Sequence, residues 1–442
     1  MHTAKWESFP SIRVTSAGLL SVDNRDLALP SSRNLFWIAL AIAIGVVTVV
    51  WLFTNHMSPQ WDMHYYLDMA AHGLLGNRNL AAPFAYRPAA PLIVGALSRV
   101  LPVNLELLFR ACDALMCVVF ILSSFYFARS VGANLRTAFF AGTVFALNFN
   151  VVKWTLFSGT MVDIYAYPIL LAAFYALLRD KIYTCLGICA VGLFFKEFLL
   201  VPIGVQTVVL LVRSRQIGWK AVWKPLLLAA GIVLVCLVLP HLVIHVTRTF
   251  EDIDPVNDRS SVRRLISYPL SRRHDFNILF AYLAGWFPIL ALLSPHRAHI
   301  VWHRLSRYRL LITSFMAFHF LLVMYGGTNI DIYITYCLPI QILVLVVILR
   351  ECNVRPWEVG LTLVAVVAFN RIWMHVPLPE NGLDAYLDFY GGYYMRVTRS
   401  SFLRMGELLA YLLAIGLLRL LILQRERSQS SSTGTEMPAG IA

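Results

Sequence analysis

Runs of 14 to 20 uncharged apolar residues recur from Leu35 to Leu421, and each is bracketed by Arg, Lys or Asp. A helix needs roughly 20 apolar residues to cross a hydrocarbon core of about 30 Å. Within lipid the backbone N–H and C=O groups must pair internally, which leaves only helices and closed barrels. The alternation of membrane β-strands, lipid-facing and lumen-facing by turns, is nowhere visible. The expected fold class is therefore all-α: a polytopic transmembrane helical protein. Composition agrees, with 59% hydrophobic and 14% charged residues, against about 25% charged in soluble domains.

Spans are read at 35 to 53, 105 to 128, 137 to 155, 163 to 178, 182 to 195, 198 to 212, 225 to 246, 277 to 294, 310 to 325, 332 to 349, 357 to 372 and 403 to 423. About twelve spans, an even number, put both termini on one side. Arg213, Arg215, Lys220 and Lys224 crowd one short loop, and Arg297, Arg304, Arg307 and Arg309 another. By the positive-inside rule these loops and both termini are cytoplasmic. Residues 1 to 34 then form a cytoplasmic N-terminal segment, 35 to 423 the transmembrane catalytic domain, and 424 to 442 a polar, Ser-rich cytoplasmic tail with the composition of disorder. Loops 54 to 90, 247 to 276 and 373 to 402 fall outside and carry short amphipathic helices. Chemistry is expected on that face.

The seven cysteines form no CxxC pair and lie mostly in apolar runs. They read as small core hydrophobes. A net charge of +13 could suggest nucleic acid, but no aromatic-basic module exists. The lipid bilayer is the expected partner, and nucleic acid is not.

The richest stretch follows the first span: Asp62 to Ala70 (DMHYYLDMA) and Pro83 to Pro88 (PFAYRP). An acid just outside a span, a short helix with Tyr66 and Met69 on one side, and Arg87 framed by Tyr86 and proline make a polar pocket at headgroup level. Such a pocket suits a substrate with one apolar end. Asp62 reads either as a general base or as the cap of the short helix. Asp163, after Ser158-Gly159-Thr160, either faces the same cavity or stabilises a helix N-terminus. Lys196 and Glu197 follow a run too short to span and so face a cavity or pair, with each other or with Arg110, because charges near the membrane are costly alone. Asp331 begins another span and either contacts substrate or caps a helix. The aromatic run Tyr386, Phe389, Tyr390, Tyr393, Tyr394 is either an interfacial belt or a platform for sugar faces.

These features, in this order, resemble the glycosyltransferase C superfamily, multi-span enzymes that take sugars from polyprenyl-phosphate carriers. The resemblance rests on Asp62, the D-x-x-x-Y-x-x-x-A run from Asp62 to Ala70, the P-F-x-Y-R-P stretch ending at Pro88, Asp163 at a span start, and Phe195-Lys196-Glu197. It covers residues 35 to 213, and the C-terminal half by span pattern alone. It implies transfer of a hexosyl or pentosyl group from a polyprenyl-phosphate-sugar donor to a glycan, lipid or protein acceptor, with inversion, in a bacterial inner membrane. Asp62 and Asp163 are then catalytic. Tyr66, Tyr86, Arg87, Lys196, Glu197 and Asp331 bind substrate, with Arg87 and Lys196 on the carrier phosphate. Where many relatives pair two acids, Asp62 is followed by Met63, so no metal or other cofactor is expected. Two rivals stand beside this reading. The Arg-rich stretch from Arg259 to Arg273 suits a lipid-linked glycan polymerase or ligase, and Pro168 and Pro240 suit a secondary transporter.

Overall fold

The computed structural model describes residues 32–58, 62–74, 77, 80–81, 84–240, 242, 250–251, 272–325, 330–391 and 401–432. Most of the 247 to 276 loop, with Arg259, and residues Tyr393 and Tyr394 lie outside the described residues. These residues are mainly helical, joined by turns and short loops, with one two-residue parallel pairing, Leu80–Ala81 with Phe250–Glu251.

Among the described residues five helical stretches are long and apolar enough to cross a membrane: Asn34–Leu52, Glu197–Gln216, Trp219–Val238, Ser306–Met324 and Met405–Ser428. A sixth is reached if Leu135–Val144 and Phe149–Ser158, bent by 56° at their junction, count as one. Other predicted spans coincide with helices too, but several are shorter. Asp163–Leu178 has 16 residues, Ile182–Gly192 has 11 and Pro356–Asn370 has 15. At about 1.5 Å per residue the longest of these three reaches only ~24 Å. Apolar side chains on the outside of the bundle, among them Trp37, Leu52, Leu227 and Leu417, are exposed, as a lipid-facing surface requires.

Local sequence fixes where helices begin. Asn104 Oδ1 accepts the N–H groups of Glu106 (2.9 Å) and Leu107 (3.3 Å) at the head of Leu105–Ser130. Asn134 and Ser294 cap Leu135–Val144 and Pro295–Arg304 in the same way. Each satisfies N–H donors that a helix start leaves open.

The predicted amphipathic helix after the first span is present as Asp62–His72. Met63, Tyr66, Met69 and Ala70 face inward, while His64 and His72 are exposed. It lies against Ala89–Ser98 so closely that a Cβ on Gly95 would sit 2.0 Å from the Ala70 carbonyl oxygen. Glycine at 95 therefore sets the spacing of the two helices that flank Arg87.

The two ends of the bundle differ in chemistry. At one end, Arg297 reaches Glu358 (2.7 Å) and Glu426 (3.1 Å), and Arg425 also pairs with Glu358. This buried network explains a departure from expectation. The tail predicted to be disordered from Gln424 is instead helical to Ser432, the end of Ser401–Ser432, because Arg425 and Glu426 are anchored. The other end gathers the segment after the first span. Asn55 accepts the Val376 N–H (3.2 Å), and Met57 N–H donates to the Phe157 carbonyl (3.1 Å). Lys153, fully buried, donates to the carbonyls of Phe53 (3.3 Å), Arg371 (3.4 Å), Ile372 (2.5 Å) and Met374.

Candidate functional site

A cavity of about 340 Å³ opens at this second end. Tyr66, Arg87, Asp163 and Lys196 line it, together with the aromatic rings of Trp154, Tyr333, Tyr386 and Tyr390. Residues far apart in sequence are brought there by short, irregular connections rather than by the long helices.

Arg87 is delivered by the turn Phe84–Tyr86. Phe84 stacks on Tyr65 (5.0 Å, 4°) and meets Tyr66 edge-on (5.6 Å), and Arg87 N–H donates to the Phe84 carbonyl (3.0 Å). Just beyond, Ala89 N–H donates to the Phe194 carbonyl (3.1 Å), which joins the PFAYRP stretch to the FKE stretch through the backbone. The Arg87 guanidinium grips Glu197 with both prongs, Nε to Oε2 at 3.1 Å and Nη2 to Oε1 at 2.7 Å. Burial works against the charge on Arg87, but Glu197 and the tyrosines and Asp163 around it hold the guanidinium protonated far above the ordinary range.

Lys196 sits where the helix Ile182–Gly192 has ended and the backbone is extended, φ −161° and ψ 138°. In extended chain, successive side chains point to opposite sides. Lys196 and Glu197 therefore part company. Lys196 Nζ meets Asp163 Oδ1 at 2.9 Å with side chains 3% and 8% exposed, and Glu197 goes to Arg87. Of the two alternatives, Lys196 faces the cavity, and its salt-bridge partner is neither Glu197 nor Arg110, which pairs with Glu106 (2.9 Å). Tyr336 OH donates to the same Asp163 oxygen at 2.8 Å. Phe198 stacks on both Tyr333 (4.9 Å) and Tyr336 (4.4 Å), so the tyrosine donor is held in place.

Asp163 heads its helix after a turn closed by Gly159, whose φ of +70° is left-handed. A second acid steadies that turn. Asp113, fully buried, accepts the Met161 N–H and the Tyr165 OH, each at 3.0 Å. Sequence reading passed over Asp113, although an aspartate inside an apolar run is the usual sign of an internal partner.

The remaining expected site residues divide. Asp62 is the first residue of Asp62–His72, and the next residue, Met63, lines the cavity; the Asp62 side chain itself lies outside the described residues. Tyr86 does not line the cavity and packs instead beside the buried pair Met69 and Ala85. Asp331 does not join the others either. Its neighbours Ile332 and Tyr333 line the large cavity, while Asp331 lines a second, smaller one. Side chains on adjacent helix positions diverge by about 100°, which separates them. Tyr386 and Tyr390 belong to the large cavity and Phe389 to the small one, so these rings face the interior and not a lipid interface.

The large cavity thus combines a guanidinium, an ammonium, one carboxylate (Asp163) and a rim of tyrosines, while Glu197, paired with Arg87, is not among its lining residues. Such a set can neutralise an anion, orient hydroxyl groups and accept a proton. Among the described residues no group of three or more His, Cys, Asp or Glu side chains is placed to hold a metal ion. Compared with protein-family models, characterised proteins and solved structures, the chain matches none.

Proposed function

We propose that this chain is an integral-membrane glycosyltransferase that moves a sugar from a polyprenyl-phosphate donor to an acceptor hydroxyl on the outer face of a bacterial inner membrane. In this reading the shorter apolar helices also lie within the membrane, for about twelve spans with both termini cytoplasmic. The supporting observation is the meeting of Arg87, Lys196 and Asp163 around one cavity of about 340 Å³, as the resemblance to the glycosyltransferase C superfamily implies.

The chemistry asks little of the protein. The leaving group is a lipid phosphate, already a stable anion, so positioning and charge neutralisation carry most of the catalysis. The acceptor oxygen attacks the anomeric carbon and the bond from that carbon to the phosphate oxygen breaks. Its proton passes to a carboxylate, assigned to Asp62. One direct displacement inverts the anomeric centre. Arg87 and Lys196 bind the departing phosphate, and Asp163 and Glu197 hold these cations in position. Incubation of purified protein with a radiolabelled polyprenyl-phosphate hexose and a membrane glycan extract tests the reading. Label should reach the acceptor with wild type and fail to with Arg87→Ala; label that never leaves the carrier would overturn it.

One observation favours a transporter instead. The 56° break between Leu135–Val144 and Phe149–Ser158 is the kind of discontinuous helix that transporters place at a binding site. Uptake of labelled sugars into proteoliposomes, with no transfer from the carrier, would select that alternative.

A further inference from the structure

The second, smaller cavity has a composition of its own. About 50 Å³ is free in its core, room for roughly four waters at the ~10–15 Å³ each requires, and the space opens to the outside. Its polar lining is Asn148, Asn150, Asp331, Asn370, Arg371 and Glu407. Two carboxylates against one guanidinium leave no surplus positive charge for a phosphate. Carboxylates and amides side by side suit hydroxyl groups, which both donate and accept.

Two features of Asn150 mark this cavity as built for a ligand. Asn150 is 9% exposed, its Oδ1 is buried without a hydrogen-bond partner, and its own N–H is taken by Asn148 Oδ1 (3.0 Å). A buried amide oxygen left open is costly, and native proteins rarely keep one idle. Asn150 also lies in Phe149–Lys153, a π-helical stretch, an irregularity found disproportionately at functional sites.

The cavity also has an aromatic side. Phe369 and Tyr411 stack at 4.0 Å and 28°, and both line it. Flat rings beside clustered hydroxyl-binding groups match the two surfaces of a pyranose, C–H bonds on its faces and hydroxyls around its rim. A wall of rings divides this space from the large cavity. Phe149 and Phe389 line the small side, Trp154 and Tyr390 the large, with Phe149 5.9 Å from Trp154 and Trp154 6.2 Å from Tyr390.

The geometry points to a binding subsite for one neutral sugar ring in the small cavity, separate from the charged cavity and not dependent on the reaction proposed for it. A glycan chain is the natural ligand class, since its uncharged rings are recognised without phosphate.

Saturation-transfer NMR on the purified full-length protein in detergent tests this, with methyl α-glucopyranoside, methyl α-mannopyranoside and methyl β-galactopyranoside as probes. At least one should receive magnetisation from wild-type protein, with a Kd raised tenfold or more in Asn150→Leu and unchanged in Arg87→Ala. Should Asn150→Leu fail to fold, Asp331→Asn, which keeps the side-chain shape, is read instead with the same expectation. No transfer to any probe, or undiminished transfer in the folded small-cavity variant, would overturn the proposal. So would loss of transfer in Arg87→Ala alone, which would seat the sugar in the large cavity. The carrier assay reads the large cavity separately, so failure of one proposal is visible without the other.

Discussion

Lys196 and Asp163 meet at 2.9 Å in the wall of the large cavity, both nearly inaccessible to water, while Glu197, adjacent to Lys196 in sequence, is bound by Arg87 from the opposite side. Two crossed ion pairs thus lock three chain segments around one space. Removing one member of a buried pair leaves an uncompensated charge and typically costs about 3–5 kcal/mol, whereas removing both can be close to neutral. Lys196→Met and Asp163→Asn should each lower thermal stability sharply, and the double variant should regain much of the loss. Thermal unfolding in detergent of the four proteins in this cycle measures the coupling. Additive losses would mean the pair contributes nothing as a unit.

For Arg87 the fork matters as much as the charge. Arg87→Lys keeps a cation but cannot grip Glu197 or a phosphate with two parallel hydrogen bonds. A charge-assisted hydrogen bond is worth roughly 1.5–3 kcal/mol, about one to two decades in affinity. We expect the donor KM to rise by that order in Arg87→Lys, with acceptor KM little changed, when each substrate is varied in turn. Equal effects on both would reduce Arg87 to a structural anchor.

Asp62→Asn separates the base from the cap. Asparagine serves well at a helix start, so expression and thermal stability should stay close to wild type. An amide cannot take the acceptor proton, so sugar transfer should nearly vanish. Full turnover in this variant assigns Asp62 to the helix and sends the search for the base elsewhere.

Close helix packing gives a test read on stability as well as on donor use. A methyl group on residue 95 would sit 2.0 Å from the Ala70 carbonyl oxygen, a backbone atom that cannot swing aside. Gly95→Ala should destabilise the fold by at least the ~1–3 kcal/mol usual for overpacking and weaken donor use as well, since Arg87 lies between the two helices it would push apart. Wild-type melting and wild-type donor KM together would show that the two helices are free to separate.

Topology can be checked in cells. With the native cysteines replaced, Asn79→Cys should react with a membrane-impermeant maleimide in intact cells. Reaction only after permeabilisation would reverse the orientation drawn from Arg213, Arg215, Lys220 and Lys224.

What the sequence made legible follows a physical line. Apolar runs between charges announced the helices, and the Asp62–Ala70 spacing announced an amphipathic helix, because both signals are local. Arg87, Lys196 and Asp163 were singled out because charged groups beside apolar runs need partners. Which partner each takes was not readable. It depends on one extended residue, Lys196, which sends neighbouring side chains to opposite sides. That Asp331 and Tyr333 line different cavities has a similar reason: one or two steps along a helix are enough to cross the ring wall. The tail from Gln424 looked disordered by composition, and its helix is held by Arg297 and Glu358, more than sixty residues away.

Lys153 bears on how the molecule is made. Its ammonium gathers carbonyls from the end of the first span at Phe53 and from Arg371, Ile372 and Met374 near the far end of the chain. A ribosome delivers these pieces in order, the first long before the last. Until residue 371 has emerged, Lys153 has only Phe53 among these four acceptors, and the contacts that tie this end of the bundle to residues 371 to 374 are not yet made. Both cavities therefore close late in synthesis, because their linings draw on residues as far along the chain as Tyr390 and Tyr411.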